Sequence, residues 1–141
     1  MVDKGTHSYL EDPRNEDIKI YINGAIVPRK KARVSVFDSG FLLGDGVWEG
    51  IRLHNGQLCF INEHIDRLFH GAKKLKIDIG KTKTEVINII KSVVKFNNMK
   101  SGIHIRFIVS RGLKRTPYQH PNANVGCPTI VCIPEYKIAN N

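Results

Sequence analysis

Two arginines stand where arginine is uncomfortable. Arg106 occupies the middle of the apolar run Ile103-His104-Ile105-Arg106-Phe107-Ile108-Val109. Strand alternation puts Ile103, Ile105, Phe107 and Val109 on one face and His104, Arg106 and Ile108 on the other. If the second face is solvated, Arg106 is an ordinary surface cation; if it lines a cleft, Arg106 is a fixed charge suited to a carboxylate. Arg67 lies at the margin of a helical apolar stripe. From there it either stays in solvent or reaches inward and grips a phosphate with paired donors.

Gly44-Asp45-Gly46 offers a third feature. It lacks the Gly-Lys-Ser/Thr ending of a phosphate-binding P-loop, and Gly50 is misplaced for a dinucleotide fingerprint. A tight turn before a strand is one reading, and a close backbone approach to a ligand is the other. The six histidines show no metal-ligand spacing, so no metal site is expected. No nucleophile elbow is present. Cys59, Cys127 and Cys132 form no C-x-x-C pair and read as buried free thiols.

The elements that must hold these residues follow from periodicity. Ile18–Ile22 alternates as a strand, Asn23-Gly24 makes a hairpin turn, and Ala25–Val27 returns until Pro28 ends it. Val47–Leu53, Asn55-Gly56 and Gln57–Phe60 repeat that punctuation. A helix capped by Asn62 follows, with Ile61, Ile65, Leu68, Ala72 and Leu75 as its apolar stripe, broken at Asp78-Ile79-Gly80. Thr82 and Glu85 predict a capping box for a second helix carrying Val86, Ile89, Ile90, Val93 and Phe96. Ile103–Val109 is a strong strand, residues 112–128 a loop, and Thr129–Ile133 a last apolar strand. The order predicts an α+β fold, an antiparallel-dominated sheet with two helices packed on one face.

At 141 residues, 41% hydrophobic and 25% charged, the chain has room for one domain with a core. No apolar stretch is long enough to span a membrane, and no signal-peptide core follows the first residues, so a cytoplasmic protein is expected. The formal charge of +9 gathers at residues 29–33, 73–76 and 111–115. Those clusters lack interleaved aromatics for stacking bases, which argues against nucleic acid as a partner and for a small anionic ligand.

Taken together, Asp38-Ser39-Gly40-Phe41-Leu42-Leu43-Gly44-Asp45-Gly46-Val47-Trp48-Glu49-Gly50-Ile51-Arg52, His64-x-x-Arg67-Leu68 and the run from Arg106 to Ser110-Arg111-Gly112 resemble the fold-type-IV aminotransferases. That family includes branched-chain and D-amino-acid aminotransferases and aminodeoxychorismate lyase. The resemblance spans most of residues 18–134 and implies the family's N-terminal small domain, after a leader at 1–17 and before an interdomain linker at 135–141. It implies pyridoxal 5'-phosphate as cofactor, with Arg67 on its phosphate. Trp48, Leu43, His104 and Arg106 match positions around the substrate.

Arg106 leans toward branched-chain-like amino acids and their 2-oxo acids as substrates. Where the D-amino-acid enzymes carry an Arg-x-His carboxylate trap, Thr116 and Tyr118 stand here, with Arg115 and His120 close by. The family's Schiff-base lysine sits in a C-terminal domain, and no lysine here aligns with it. The resemblance therefore implies a chain that is not catalytically competent alone and that needs a homodimer or a complementing C-terminal domain. A non-catalytic module binding a phosphorylated cofactor or a partner, and a lyase of the same fold, are the alternatives.

Overall fold

The computed structural model describes residues 10–138. Residues 1–9 of the polar leader and 139–141 of the expected linker lie outside them. The elements are β1 (Lys19–Ile22), β2 (Ala25–Pro28), α1 (Ser39–Leu43), β3 (Gly46–His54), β4 (Gln57–Leu58), α2 (Ile61–Lys74), α3 (Lys83–Phe96), β5 (Ile103–Ser110), β6 (Leu113–Lys114), β7 (Asn124–Val125) and β8 (Thr129–Tyr136). Six strands form one sheet in the order β2-β1-β8-β5-β3-β4, with every pairing antiparallel. The architecture is α+β, as expected.

Both hairpins turn on Asn-Gly because both central residues need positive φ: Asn23 47° and Gly24 95°, then Asn55 47° and Gly56 78°. Register then sorts the side chains. Val47 faces Val109, Glu49 faces Phe107 and Ile51 faces Ile105 across β3 and β5, and Phe107 faces Cys132 across β5 and β8. That row lies against α2, which packs on β3, and α3, which packs on β1 and β8. Ile51, Ile105, Phe107, Val109 and Cys132 are fully buried there with Ile65, Leu68, Val86, Ile90 and Val93 from the helices.

The capping box forms as predicted: Glu85 N–H donates to Thr82 Oγ1 at 3.1 Å, and Thr82 N–H donates to Glu85 Oε2 at 2.6 Å. Several local expectations are corrected. Asn62 does not cap α2; the chain enters through Phe60, left-handed at φ 51°, and Asn62 lies inside the first turn. β4 is only two residues long, so the helix starts earlier than the cap rule places it. Leu75 and Phe96, at the ends of their stripes, are exposed rather than buried.

Cys132 is the buried thiol expected; Cys59 is half-buried and Cys127, between Gly126 and Pro128, is exposed. The 112–128 loop holds the small ribbon β6–β7, and Asp38–Gly44 contains a helical turn that apolar periodicity is too short to reveal. Within the polar leader, Pro13–Asp17 forms a 3-10 turn whose Asn15 exchanges two hydrogen bonds with the Tyr136 backbone, at 2.8 and 3.0 Å.

Candidate functional site

The approach made by Gly46 is internal. A Cβ built there would meet the Val109 carbonyl at 2.6 Å, so glycine lets β3 start tight against β5. Gly44, at φ 65°, closes α1 in the left-handed region. Asp45 is gripped by Arg111, with Nε donating to Oδ2 at 2.6 Å and Nη2 to Oδ1 at 3.2 Å. Arg111 also donates to the Leu75 and Lys76 carbonyls, tying this turn to the end of α2. The turn therefore aims β3, and the Asp45 carboxylate is taken up by Arg111.

β3 presents Trp48, Gly50 and Arg52 on the sheet face opposite the helices, beside His104 and Arg106 of β5. The Arg106 guanidinium lies over the Trp48 indole, 4.2 Å from the ring centroid. Such a stack contributes about 0.5–1 kcal/mol when exposed. It leaves the guanidinium edges free, and Arg106 has no hydrogen-bond acceptor among the described residues. A Cβ on Gly50 would come within 2.8 Å of His104 Nε2 and 3.7 Å of the indole, so glycine there makes room for the His104 ring, which lies over it beside Trp48. Burial first, then the cations Lys137, Arg106 and Arg52, push His104 below the usual histidine range, against a smaller opposing pull from Glu135. That shift favours the uncharged imidazole. An apolar ring, an imidazole and a cation suit a ligand with a hydrocarbon body and one anionic end.

Arg67 is elsewhere. On α2 it faces the helix layer and chelates Glu49, with Nε donating to Oε1 and Nη2 to Oε2, each at 2.6 Å. His64 Nδ1 reaches Glu49 Oε2 at 2.8 Å. Glu49 is 4% exposed, while the Arg67 side chain is 71% exposed and its Nη1 has no partner among the described residues. That free, outward edge fits one end of a phosphate. β4 pairs only with Leu53 and His54, so the first half of β3 is a sheet edge. The Trp48 face and the Arg67 face meet along it.

Hydrogen bonding to Arg67, and secondarily to His64, holds the Glu49 carboxyl below the ordinary value of 4.5 against the upward push of burial. A depressed folded value means that the unfolded chain takes up the proton first. The stabilisation is therefore complete above about pH 4.5 and lost as pH falls through the folded value. Thermal melting should drop on acidification below that point, and drop less in Glu49→Gln; equal loss in both proteins would remove Glu49 from the acid transition.

Leu43 lines an open groove of about 600 Å³ whose other walls are Pro117, Tyr118, Gln119 and His120. Trp48 and Arg106 are not part of it. A hydrogen-bond network ties Asp38 and Ser39 to residues 110–124: Ser110 Oγ donates to Asp38 Oδ2 at 3.0 Å, Ser39 Oγ to the Gly112 carbonyl, Asn124 Nδ2 to Ser39 Oγ at 2.9 Å, and Lys114 Nζ to Asn124 Oδ1 at 2.8 Å. The five predicted site residues thus fall into three places. Trp48, His104 and Arg106 are brought together, while Arg67 and Leu43 stand apart from them.

Glu49 and His64 were missed as site residues although both lie within the motifs. The signal was a carboxylate in the row Val47, Glu49, Ile51, Leu53, where burial demands a cationic partner, and a histidine one helical turn before an arginine.

Residues 46–133 match the profile described as amino-transferase class IV. A Methanocaldococcus jannaschii protein, provisionally named a branched-chain-amino-acid aminotransferase, is 46% identical over 116 residues, covering 82% of this chain and 39% of that protein. The D-alanine aminotransferase of Staphylococcus haemolyticus is 33% identical over 108 residues, covering 76% and 38%. A T.th. branched-chain amino acid aminotransferase, solved in complex with N-(5'-phosphopyridoxyl)-L-glutamate, aligns with a TM-score of 0.72 at 29% identity, covering 82% of this chain and 40% of that one. The chain thus spans about two fifths of the length of these relatives. Among the described residues no helix is long and apolar enough to cross a membrane.

Proposed function

Because this chain belongs to the class IV aminotransferase family, we propose that it forms the phosphate-gripping and side-chain-recognising part of an enzyme that moves amino groups between amino acids and 2-oxo acids, with branched-chain-like substrates favoured. The observation that carries this reading is the face built by Trp48, His104 seated over Gly50, and the stacked Arg106. A hydrocarbon side chain packs beside the indole and the imidazole, and the cation answers a carboxylate.

Pyridoxal phosphate, when bound, supplies the carbonyl that accepts the amino group and the ring that withdraws electrons from the α-carbon. Arg67 would hold its phosphate through the free Nη1 edge. His104 supplies a hydrogen-bonding group beside the indole, in an environment that disfavours its charged form. Arg111 and Asp45 keep β3 aimed, so that Trp48 stays over Arg106.

The reading assigns the reacting lysine to residues outside this chain. It also assigns the cover over the open face, and over exposed Phe37, Phe41 and Leu43, to a C-terminal domain or a second copy.

The test uses the protein at its full length, loaded with pyridoxal phosphate and offered leucine, isoleucine, valine or D-alanine with 2-oxoglutarate. The expected result is amino transfer from the branched-chain donors by a dimer in light scattering. Transfer from D-alanine alone would move the protein to the D-amino-acid type. No transfer from any donor would remove the aminotransferase reading.

A further inference from the structure

The geometry points to Glu49 as a positioning residue for the cofactor's phosphate, acting through Arg67; this rests on the reading of Arg67 as the phosphate ligand. Glu49 is the charged member of the β3 row that faces the helices, between Val47 and Ile51, and its carboxylate is 4% exposed. Burial of a charge is tolerated only when its lone pairs are used. Three donors use them: Arg67 Nε and Nη2 at 2.6 Å each, and His64 Nδ1 at 2.8 Å. The residue that carries the carboxylate is fixed by the β3–β5 pairing, opposite fully buried Phe107. The arginine is 71% exposed and rides on a flexible stem. In this pair the buried acid is therefore the anchor and the exposed base is the part that is held.

The fork geometry determines what remains. Of the five guanidinium N–H groups, one on Nε and one on Nη2 are committed to Glu49, so the Nη1–Nη2 end, with three N–H groups, is left on an exposed side chain. An arginine without that anchor would sample many rotamers and present either edge. His64 braces the same carboxylate. An ionised carboxylate accepts only, so Nδ1 carries the hydrogen in this contact and His64 steadies Glu49.

The opposing view is that Glu49 neutralises Arg67 and so weakens its pull on an anion. The two views predict opposite signs. Pyridoxal phosphate is titrated into the full-length protein, Glu49→Gln, Arg67→Ala and the double variant, following the cofactor's absorbance. Positioning predicts a loss of about tenfold in affinity for Glu49→Gln, the scale seen when partners behind metal ligands are removed. It predicts no further loss when Glu49→Gln is added to Arg67→Ala, because the effect has no route except through the arginine. Tighter binding in Glu49→Gln overturns the proposal, and so does an equal loss in both backgrounds, which a general disturbance of the fold would give.

The Arg67 Nε–H resonance in the unmutated protein supplies a second measurement that does not depend on the variant folding. A slowly exchanging signal supports the anchor, and a free, averaged signal overturns it. Failure of the unmutated protein to bind pyridoxal phosphate while that signal stays protected overturns the cofactor reading, and the role of Glu49 with it. Intact binding that is indifferent to Glu49→Gln overturns the proposal alone.

Discussion

Replacing Arg67 by alanine is expected to weaken pyridoxal phosphate binding by about a hundredfold, the scale of losing a paired, charge-assisted contact to a phosphate. The size follows from what the side chain offers: the Nη1–Nη2 end of a guanidinium already oriented by Glu49. The change also removes two of the three donors on a buried carboxylate, leaving His64 alone. A fall in melting temperature should therefore accompany the loss of affinity. Arg67→Lys separates the two effects, since it keeps a charge but not the fork. It should retain most of the stability and only part of the affinity. Titration by absorbance, with melting curves on the same samples, checks both; unchanged affinity in Arg67→Ala would remove this residue from the site.

The second large effect concerns the sheet that carries the face. Phe107→Ala should cost about 3–5 kcal/mol, the usual range for emptying a buried phenylalanine site. Phe107 is fully buried at the centre of the row between Glu49 and Cys132. Its neighbour Arg106 points to the opposite, open face, and Arg106→Ala should cost no more than its stack on Trp48, about 1 kcal/mol. Urea unfolding followed by the fluorescence of Trp48, the chain's single tryptophan, measures both. Equal costs at 106 and 107 would mean that the alternation assigned to β5 is wrong.

That alternation was legible in the sequence, because a period of two in Ile103–Val109 admits one arrangement. The Asn-Gly hairpins and the Thr82–Glu85 box were legible for the same reason: each demands a backbone geometry or a reciprocal hydrogen bond that few residues supply. α1 was not, since five residues are too few to show a helical period and its cap, Asp38, works locally. The entry to α2 was misplaced because a left-handed Phe60, a rare backbone state for a bulky residue, does what a polar cap usually does.

At the site, Trp48, His104 and Arg106 were grouped only by the family resemblance, and it is the register of β3 against β5 that puts them on one face. Glu49 could not be assigned its role until α2 was seen to bring Arg67 and His64 over it. Pairing between a strand and a helix depends on packing, and no spacing in the sequence encodes it. The same holds for Leu43, whose groove is made with residues 117–120, far along the chain.

The claim that Arg67 meets the cofactor's phosphate is tested most directly by distance. Full-length protein carrying ¹⁵N-labelled arginine is loaded with pyridoxal phosphate and frozen, and dipolar dephasing between phosphorus and nitrogen is recorded. The account predicts an arginine nitrogen within about 4 Å of the phosphorus, the reach of a direct hydrogen bond, and loss of that coupling in Arg67→Ala. A phosphorus signal with no arginine coupling, or one whose coupling survives Arg67→Ala, would contradict it.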